Sequence, residues 1–143
     1  MREAPNIPLE DAPLEIIDGD RGKAYPKQDE LFDSGHCIFL NGNNVTKYGF
    51  NFSECQFITE EKDNFLRKGK LICHDVVLTT RGTIGNAAYF KPDIPYENIR
   101  INSGMVIFRC DKNNLIPDFL YYFLRSKLFH NQVQSLRSGV AQP

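Results

Sequence analysis

The sequence predicts an α+β fold, a β-rich body with polar loops followed by two C-terminal helices, and three observations carry that reading. Short apolar runs broken by Gly, Asn and Asp fill the chain up to residue 108, the pattern of strands joined by tight turns. From Pro117 onward the apolar residues switch to helical spacing. A length of 143 residues, 41% of them hydrophobic and 24% charged, suits one hydrophobic core and excludes disordered, collagen-like and membrane-embedded classes. The expected organisation is an irregular N-terminal segment, 1–13, and a single domain, 14–143.

Pro5, Pro8 and Pro13 prevent a continuous helix or central strand in the first segment. Residues 14–17 form a strand stopped by Asp18-Gly19-Asp20-Arg21-Gly22, whose residue types tolerate tight turns. Residues 37–40 repeat the pattern and end in Asn41-Gly42-Asn43-Asn44, where glycine and asparagine accept left-handed backbone angles. Thr59 caps a helix of barely two turns that opens on Glu60 and Glu61, acids suited to the positive end of the helix dipole, and Gly69 marks its exit. Residues 70–73 and 76–80 read as strands; 81–86 break regularity and 87–90 resume it, a hairpin with an elaborated tip. Strands at 99–101 and 105–108 flank a polar break at Asn102-Ser103-Gly104. Pro117 opens a helix whose run from Phe119 through Leu124 is apolar nearly all round, which predicts deep burial with Tyr122, Phe123 and Leu124 in the core. Ser126 restarts a second helix with Phe129, Val133 and Leu136 on one face, ended by Gly139.

The longest apolar run, 119–124, is far too short to span a bilayer, and no basic region followed by an apolar stretch opens the chain, so a cytoplasmic protein without membrane contact is expected. Cys37, Cys55, Cys73 and Cys110 are dispersed singly through a chain able to build a core without covalent staples, and reduced, buried thiols are expected. His36-Cys37 and Cys73-His74 invite a metal, but strand neighbours point to opposite faces and no Cys-x-x-Cys spacing is present; no metal is expected. G-x-G-x-x-G, Walker, G-x-S-x-G and H-E-x-x-H signatures are all missing, which leaves nucleotide cofactors, serine hydrolysis and zinc proteolysis without support. No cofactor and no small-molecule substrate are expected. His36, His74 and His130 read as hydrogen-bonded or surface histidines, and Asp75, Asp93 and Glu97 lack the spacing of a metal nuclease.

The formal net charge of −1 conceals an asymmetry: −7 up to Asp63 and +6 from Asn64 onward, so the C-terminal part could receive a polyanion. The loop tips carry Arg21, Lys23 and Tyr25; Asn41, Asn43, Asn44, Thr46, Lys47 and Tyr48; and Thr79, Thr80, Arg81, Thr83 and Asn86. Arginine holds guanine through two hydrogen bonds, asparagine does the same for adenine, and threonine offers thymine a hydroxyl and a methyl. Such residues also populate turns for backbone reasons alone, but three polar loops, each with a guanidinium or an amide, favour recognition. Arg81 stands at a hairpin tip where it can project outward or fold back onto Asp75 or Glu97, while Gly82, Ile84 and Gly85 shape the turn.

The stretches Ile16-Ile17-Asp18-Gly19-Asp20-Arg21-Gly22-Lys23, Phe39-Leu40-Asn41-Gly42-Asn43-Asn44-Val45 and 75–86, together with 117–126 and Gly139-Val140-Ala141-Gln142-Pro143, resemble the specificity subunit of type I restriction-modification enzymes. The likeness spreads over nearly all of 14–143, and its most specific element is Leu78-Thr79-Thr80-Arg81-Gly82-Thr83-Ile84-Gly85 followed at a distance by the aromatic helix. The resemblance implies a protein that reads double-stranded DNA and does no chemistry itself. In that family two target recognition domains, separated by long helices, direct methyltransferase subunits and a restriction subunit to a bipartite sequence. This chain then corresponds to one such domain, truncated before the family's spacer helix. Recognition domains diverge with their targets, so the expected DNA contacts come from side-chain chemistry: Arg21, Lys23, Tyr25, Asn41, Asn43, Asn44, Thr46, Lys47, Thr79, Thr80, Arg81, Thr83 and Asn86. Two other readings stand beside it, a protein-interaction domain whose acidic half meets a basic partner and a small metal-dependent nuclease.

Overall fold

The computed structural model describes residues 14–111 and 116–140, with the side chains of Val133 and of 135–140 outside that description. The expected irregular segment 1–13 and the shared face of Val133 and Leu136 therefore lie outside the described residues. In chain order the elements are β1 (Leu14–Asp18), β2 (Cys37–Phe39), β3 (Val45–Thr46), β4 (Gly49–Phe50), β5 (Gln56–Ile58), α1 (Glu60–Phe65), β6 (Val76–Thr79), β7 (Ala87–Tyr89), β8 (Ile99–Arg100), β9 (Met105–Cys110), α2 (Pro117–Leu124) and α3 (Lys127–Val140). The fold is α+β, a β-rich body with two C-terminal helices.

An antiparallel sheet runs in the order β1-β9-β6-β7, a second sheet in the order β5-β2-β8, and β3 and β4 form a small hairpin. The strand period of two sorts the residues of the first sheet into two cores. Val77, Ala88, Met105 and Ile107 face Ile38, Leu40, Ile99 and Ile101 of the second sheet and its flanks. Val76, Leu78, Ala87, Tyr89 and Phe108 face Leu120 and Leu124 of α2 and Phe129 of α3. On the outer side of the second sheet, Cys37, Phe39 and Ile58 pack on Leu66 beyond α1. The layers thus run helices, sheet, sheet, helix. Burial on both faces explains why Val76-Val77-Leu78 is a continuous apolar run instead of an alternating one.

The expected hairpin is present, since β6 pairs β7 with Val76 opposite Tyr89 and Leu78 opposite Ala87. Thr59 caps α1 as expected, its Oγ1 accepting from the Lys62 amide at 3.0 Å. Gly69, however, is not the exit; the helix closes at Leu66, and Gly69, at φ +87, lies where a Cβ would come within 3.0 Å of the Gly19 Cα and the Ile101 Cγ1. Residues 70–73 are not a strand: Lys70 makes a single bridge to Arg100, and Asp75 then closes a turn by accepting from the Ile72 amide at 2.8 Å. The strands at 99–101 and 105–108 belong to different sheets, so the break between them is where the chain changes layer. Deep burial of α2 is overturned. Leu120 and Leu124, four residues apart, are buried, whereas Phe119 and Tyr122 are 55% and 70% exposed because only one side of the helix meets the sheet. Helix α3 passes through Gly139 to Val140. The four cysteines are free, but Cys73 is exposed because it lies on the turn and not on a strand.

Ion pairs on two buried carboxylates lock these layers. Asp63 accepts from Arg100 Nε at 2.6 Å and from Lys70 Nζ, with His36 Nε2 at 3.4 Å. The other Arg100 donors reach the carbonyls of Asp63, Leu66 and Lys68. Asp75 takes both Nε and one terminal nitrogen of Arg109, at 3.0 and 2.8 Å. Burial pushes the Asp63 carboxyl up, but the hydrogen bonds from Lys70 and Arg100 outweigh it and hold the group below the usual value of 3.8.

Removing one partner of a buried pair strands the other's charge, so Asp63→Asn lowers stability by roughly 3–5 kcal/mol in urea melts. The contribution of a carboxyl whose folded pKa is depressed is complete above its unfolded value and is lost as pH falls through the folded one; the gap between wild type and variant therefore narrows below pH 3.8. Burial, aided by the nearby Asp63 charge, pushes the Cys37 thiol up to about 12, so maleimide modifies exposed Cys73 first and Cys37 last, an order read by mass spectrometry of timed samples.

Candidate nucleic-acid interface

Strand directions bring the polar loops to one end of the body. Asp18 pairs with Val106 and Thr79 with Met105, so the end of β1, the end of β6 and the start of β9 lie together. The second sheet adds its own loop there, because β2 runs parallel to β8 and β8 leads through residues 101–104 into β9. Four loops therefore share one end: 19–25, 41–44, 80–86 and 101–104.

Backbone contacts make a single surface of them. The amides of Thr80 and Arg81 donate to the Gly104 carbonyl at 2.8 and 3.3 Å, which pins the hairpin tip to the 101–104 loop. The Ser103 amide donates to the Tyr25 hydroxyl at 3.3 Å, and a Cβ on Gly19 would stand 3.3 Å from the Ile101 carbonyl, so the first loop abuts the same segment. Gly42, Arg81, Asn102 and Ser103 line one shallow cavity of about 240 Å³. The carboxylate of Asp20 accepts from the amides of Arg67 and Lys68 at 2.7 and 2.8 Å, anchoring the first loop from below.

The anticipated contact residues fall into three groups. Thr80, Arg81 and Thr83 are exposed on the tip, Asn43 is exposed on the second loop, and Lys23 is exposed on the first. Among the described residues Arg81 has no ion-pair partner; Asp75, which could have braced it, is held by Arg109. Arg21 is also exposed, with Asp18 at a loose 3.9 Å, a pairing of little strength at the surface.

The second group supports the loops. Asn44 is 1% exposed, and its side chain accepts from the Asn41 amide and donates to the carbonyls of Asn51 and Glu54. Thr79 is 3% exposed, its hydroxyl donating to the Thr83 carbonyl at 2.5 Å and accepting from the Asn86 amide at 2.9 Å. Asn41 accepts from the Asn43 amide, and Thr46 braces its turn by donating to the Gly49 carbonyl and accepting from the Tyr48 amide. Tyr25 packs edge-on against Phe39 at 5.4 Å. These side chains position the loops, and Asn44 and Thr79 have no surface to offer a partner.

The third group lies around the corner. Lys47 and Asn86 line a cleft with α2 and α3, and Asn86 donates to the Val45 carbonyl at 3.2 Å. Sequence reading passed over Asn102 and Ser103 as contacts, although Asn-Ser-Gly has the same composition as the other loop tips; only the change of sheet puts them at the centre of the surface.

The free groups at this end are a guanidinium, amides, hydroxyls and an ammonium, chemistry for hydrogen bonds to base edges and phosphates. Among the described residues there is no group of three or more His, Cys, Asp or Glu side chains able to hold a metal ion.

The sequence profile of the type I restriction modification DNA specificity domain matches residues 14–143. Among solved structures, the chain is similar to the HsdS subunit from Thermoanaerobacter tengcongensis, with a TM-score of 0.54 and 16% identity over 78% of this chain and 24% of that one. It is likewise similar to a chain from a structure on complex assembly and conformational transition of the type I R-M system, with a TM-score of 0.56 and 16% identity over 78% and 25%. No curated protein matches. This chain thus spans about a quarter of the length of those two solved chains, and they share its fold. With four polar loops gathered at one end of that fold and the profile matched from the first strand to the last residue, the chain belongs to the family of type I restriction modification DNA specificity domains.

Proposed function

We propose that this chain is a non-catalytic module that reads one half of a bipartite double-stranded DNA target in the cytoplasm and directs partner methyltransferase and restriction subunits to it. The observation that carries the reading is the convergence of four polar loops around Arg81, whose guanidinium has no carboxylate partner among the described residues. Arg81 reads a guanine, the exposed Thr80, Thr83 and Asn43 with the half-buried Asn102 and Ser103 supply neighbouring base or phosphate contacts, and Lys23 and Lys47 meet the backbone. A nuclease role gains nothing from Asp75, which Arg109 already neutralises. A second reading, contact with a basic protein, is favoured by one feature, a cleft beside α1 lined by Asp29, Glu61, Phe32 and Phe65.

Arg81→Ala leaves the melting temperature unchanged, weakens binding to a duplex selected from a random pool by roughly 1–3 kcal/mol and relaxes discrimination at one base pair. Anisotropy titrations on selected and scrambled duplexes check this; unchanged base preference removes Arg81 from the readout. Affinity for the selected duplex also falls steeply between low and physiological salt. A flat salt response, with binding to a basic protein instead, moves the function to the acidic cleft.

A further inference from the structure

A second basic surface sits beside the loop end. The elbow between α2 and α3, the β3–β4 turn and the base of the hairpin tip enclose a cleft of about 360 Å³ lined by Lys47, Asn86, Arg125, Lys127 and His130. Every charged residue in its wall is a cation. Elsewhere the structure neutralises its enclosed cations: Lys62 pairs with Glu30, Lys70 and Arg100 with Asp63, and Arg109 with Asp75. Lys47, Arg125 and Lys127 are exposed and have no ion pair among the described residues. Lys47 instead lies over the Tyr48 ring and Arg125 over the Tyr121 ring, each at 5.2 Å, contacts that orient a cation without cancelling its charge.

The cleft is also built. The Ser126 hydroxyl accepts from the Phe129 amide at 3.2 Å and fixes the first turn of the 14-residue α3, whose positive dipole end opens here. Gly85, buried and at φ +95, lets the hairpin base approach the His130 ring, where a Cβ would stand 3.6 Å from Cε1. The Asn86 side chain ties that base to β3. Gly85 and Asn86 belong to the same 80–86 segment that carries Arg81, so the cleft continues the loop surface.

Resting on the DNA reading above, we infer that this cleft seats a backbone phosphate of the duplex, held by Arg125 and Lys127 with Lys47 and His130 beside them, while the loop end meets the bases. Arg125, Lys127 and His130 are phosphate contacts from helices that otherwise serve packing. The cleft supplies affinity without sequence preference and sets the register of the loops on the duplex.

The test uses the 143-residue chain with Arg125→Gln/Lys127→Gln, Lys127→Gln alone and Lys91→Gln. Lys91 follows β7 at the far end of the sheet, so its loss leaves binding unchanged. Each phosphate contact contributes about 0.9 to the slope of log affinity against log salt. With one phosphate in the cleft, the double variant therefore lowers the slope by about one, and Lys127→Gln, an exposed residue, by part of that. Affinity drops by the same factor on selected and scrambled duplexes. An unchanged slope in both variants, with wild type still binding, overturns the cleft assignment and leaves the loop reading intact. Wild type that binds no duplex overturns both. Inorganic phosphate followed through the His130 ring resonances separates the remaining source: saturation by free phosphate, with no change in duplex slope, assigns the cleft to a small anion and overturns the inference.

Discussion

The placement of the loop end depends on one buried guanidinium. Arg100, 6% exposed, donates to the Asp63 carboxylate and to the carbonyls of Asp63, Leu66 and Lys68, so a residue of β8 holds the whole exit of α1. Taking such a pair out of water costs several kcal/mol per ion, a penalty offset only when geometry is good and the remaining donors are filled, as they are here. The held segment then does two things. Gly69 is brought against Gly19 and accepts from the Ile101 amide at 3.0 Å, and the amides of Arg67 and Lys68 are aimed at Asp20. Loops 19–25 and 101–104 inherit their positions from these contacts.

The same economy explains the charge distribution. A −7 half and a +6 half suggest a dipole that a polyanion would feel directly. In the folded chain, Asp63 of the acidic half neutralises Lys70 and Arg100 of the basic half across the second sheet. Arg109 is neutralised within its own half by Asp75. What a partner meets is what remains exposed, including Arg81 on the hairpin tip and Lys47, Arg125 and Lys127 around the elbow. Paired cations hold the frame, and unpaired ones face outward beside it. Loops on such a frame can change side chains at Thr80, Arg81, Thr83 or Asn43 without disturbing Asn44 and Thr79, whose polar atoms are engaged beneath them.

Local chemistry made much of this legible in the chain. Thr59 ahead of two acids announced α1; the strand read at 76–80, the break and the resumption at Ala87 announced the hairpin; Pro117 announced α2. Each rests on interactions within a few residues: a cap, a turn, a missing amide proton. The exposed part of the candidate surface was legible only in residue type, because a threonine on a tight loop can turn outward, as Thr80 and Thr83 do, or inward, as Thr79 does. The failures at Tyr122 and Cys73 also have a common cause. Apolar character does not say which side of a helix meets a sheet, and β propensity at 70–73 does not reveal that the Asp75 carboxylate takes the Ile72 amide and turns the chain.

The sequence by itself determined the α+β class, the hairpin, the helix starts and the residue types at the loop tips, since all of these follow from short-range sterics, capping and periodicity. Tertiary structure alone decided that Asn102 and Ser103 stand at the centre of the surface, that Asn44 and Thr79 lie beneath it, that Arg100 is interior and Arg109 is bound to buried Asp75, and that Lys47 joins Arg125 and Lys127 in one cleft. Those outcomes depend on strand order and on β2 running parallel to β8, pairings between segments some sixty residues apart such as Ile38 with Ile99. No local preference encodes such a pairing, because its free energy arises only once both sheets close on their shared core.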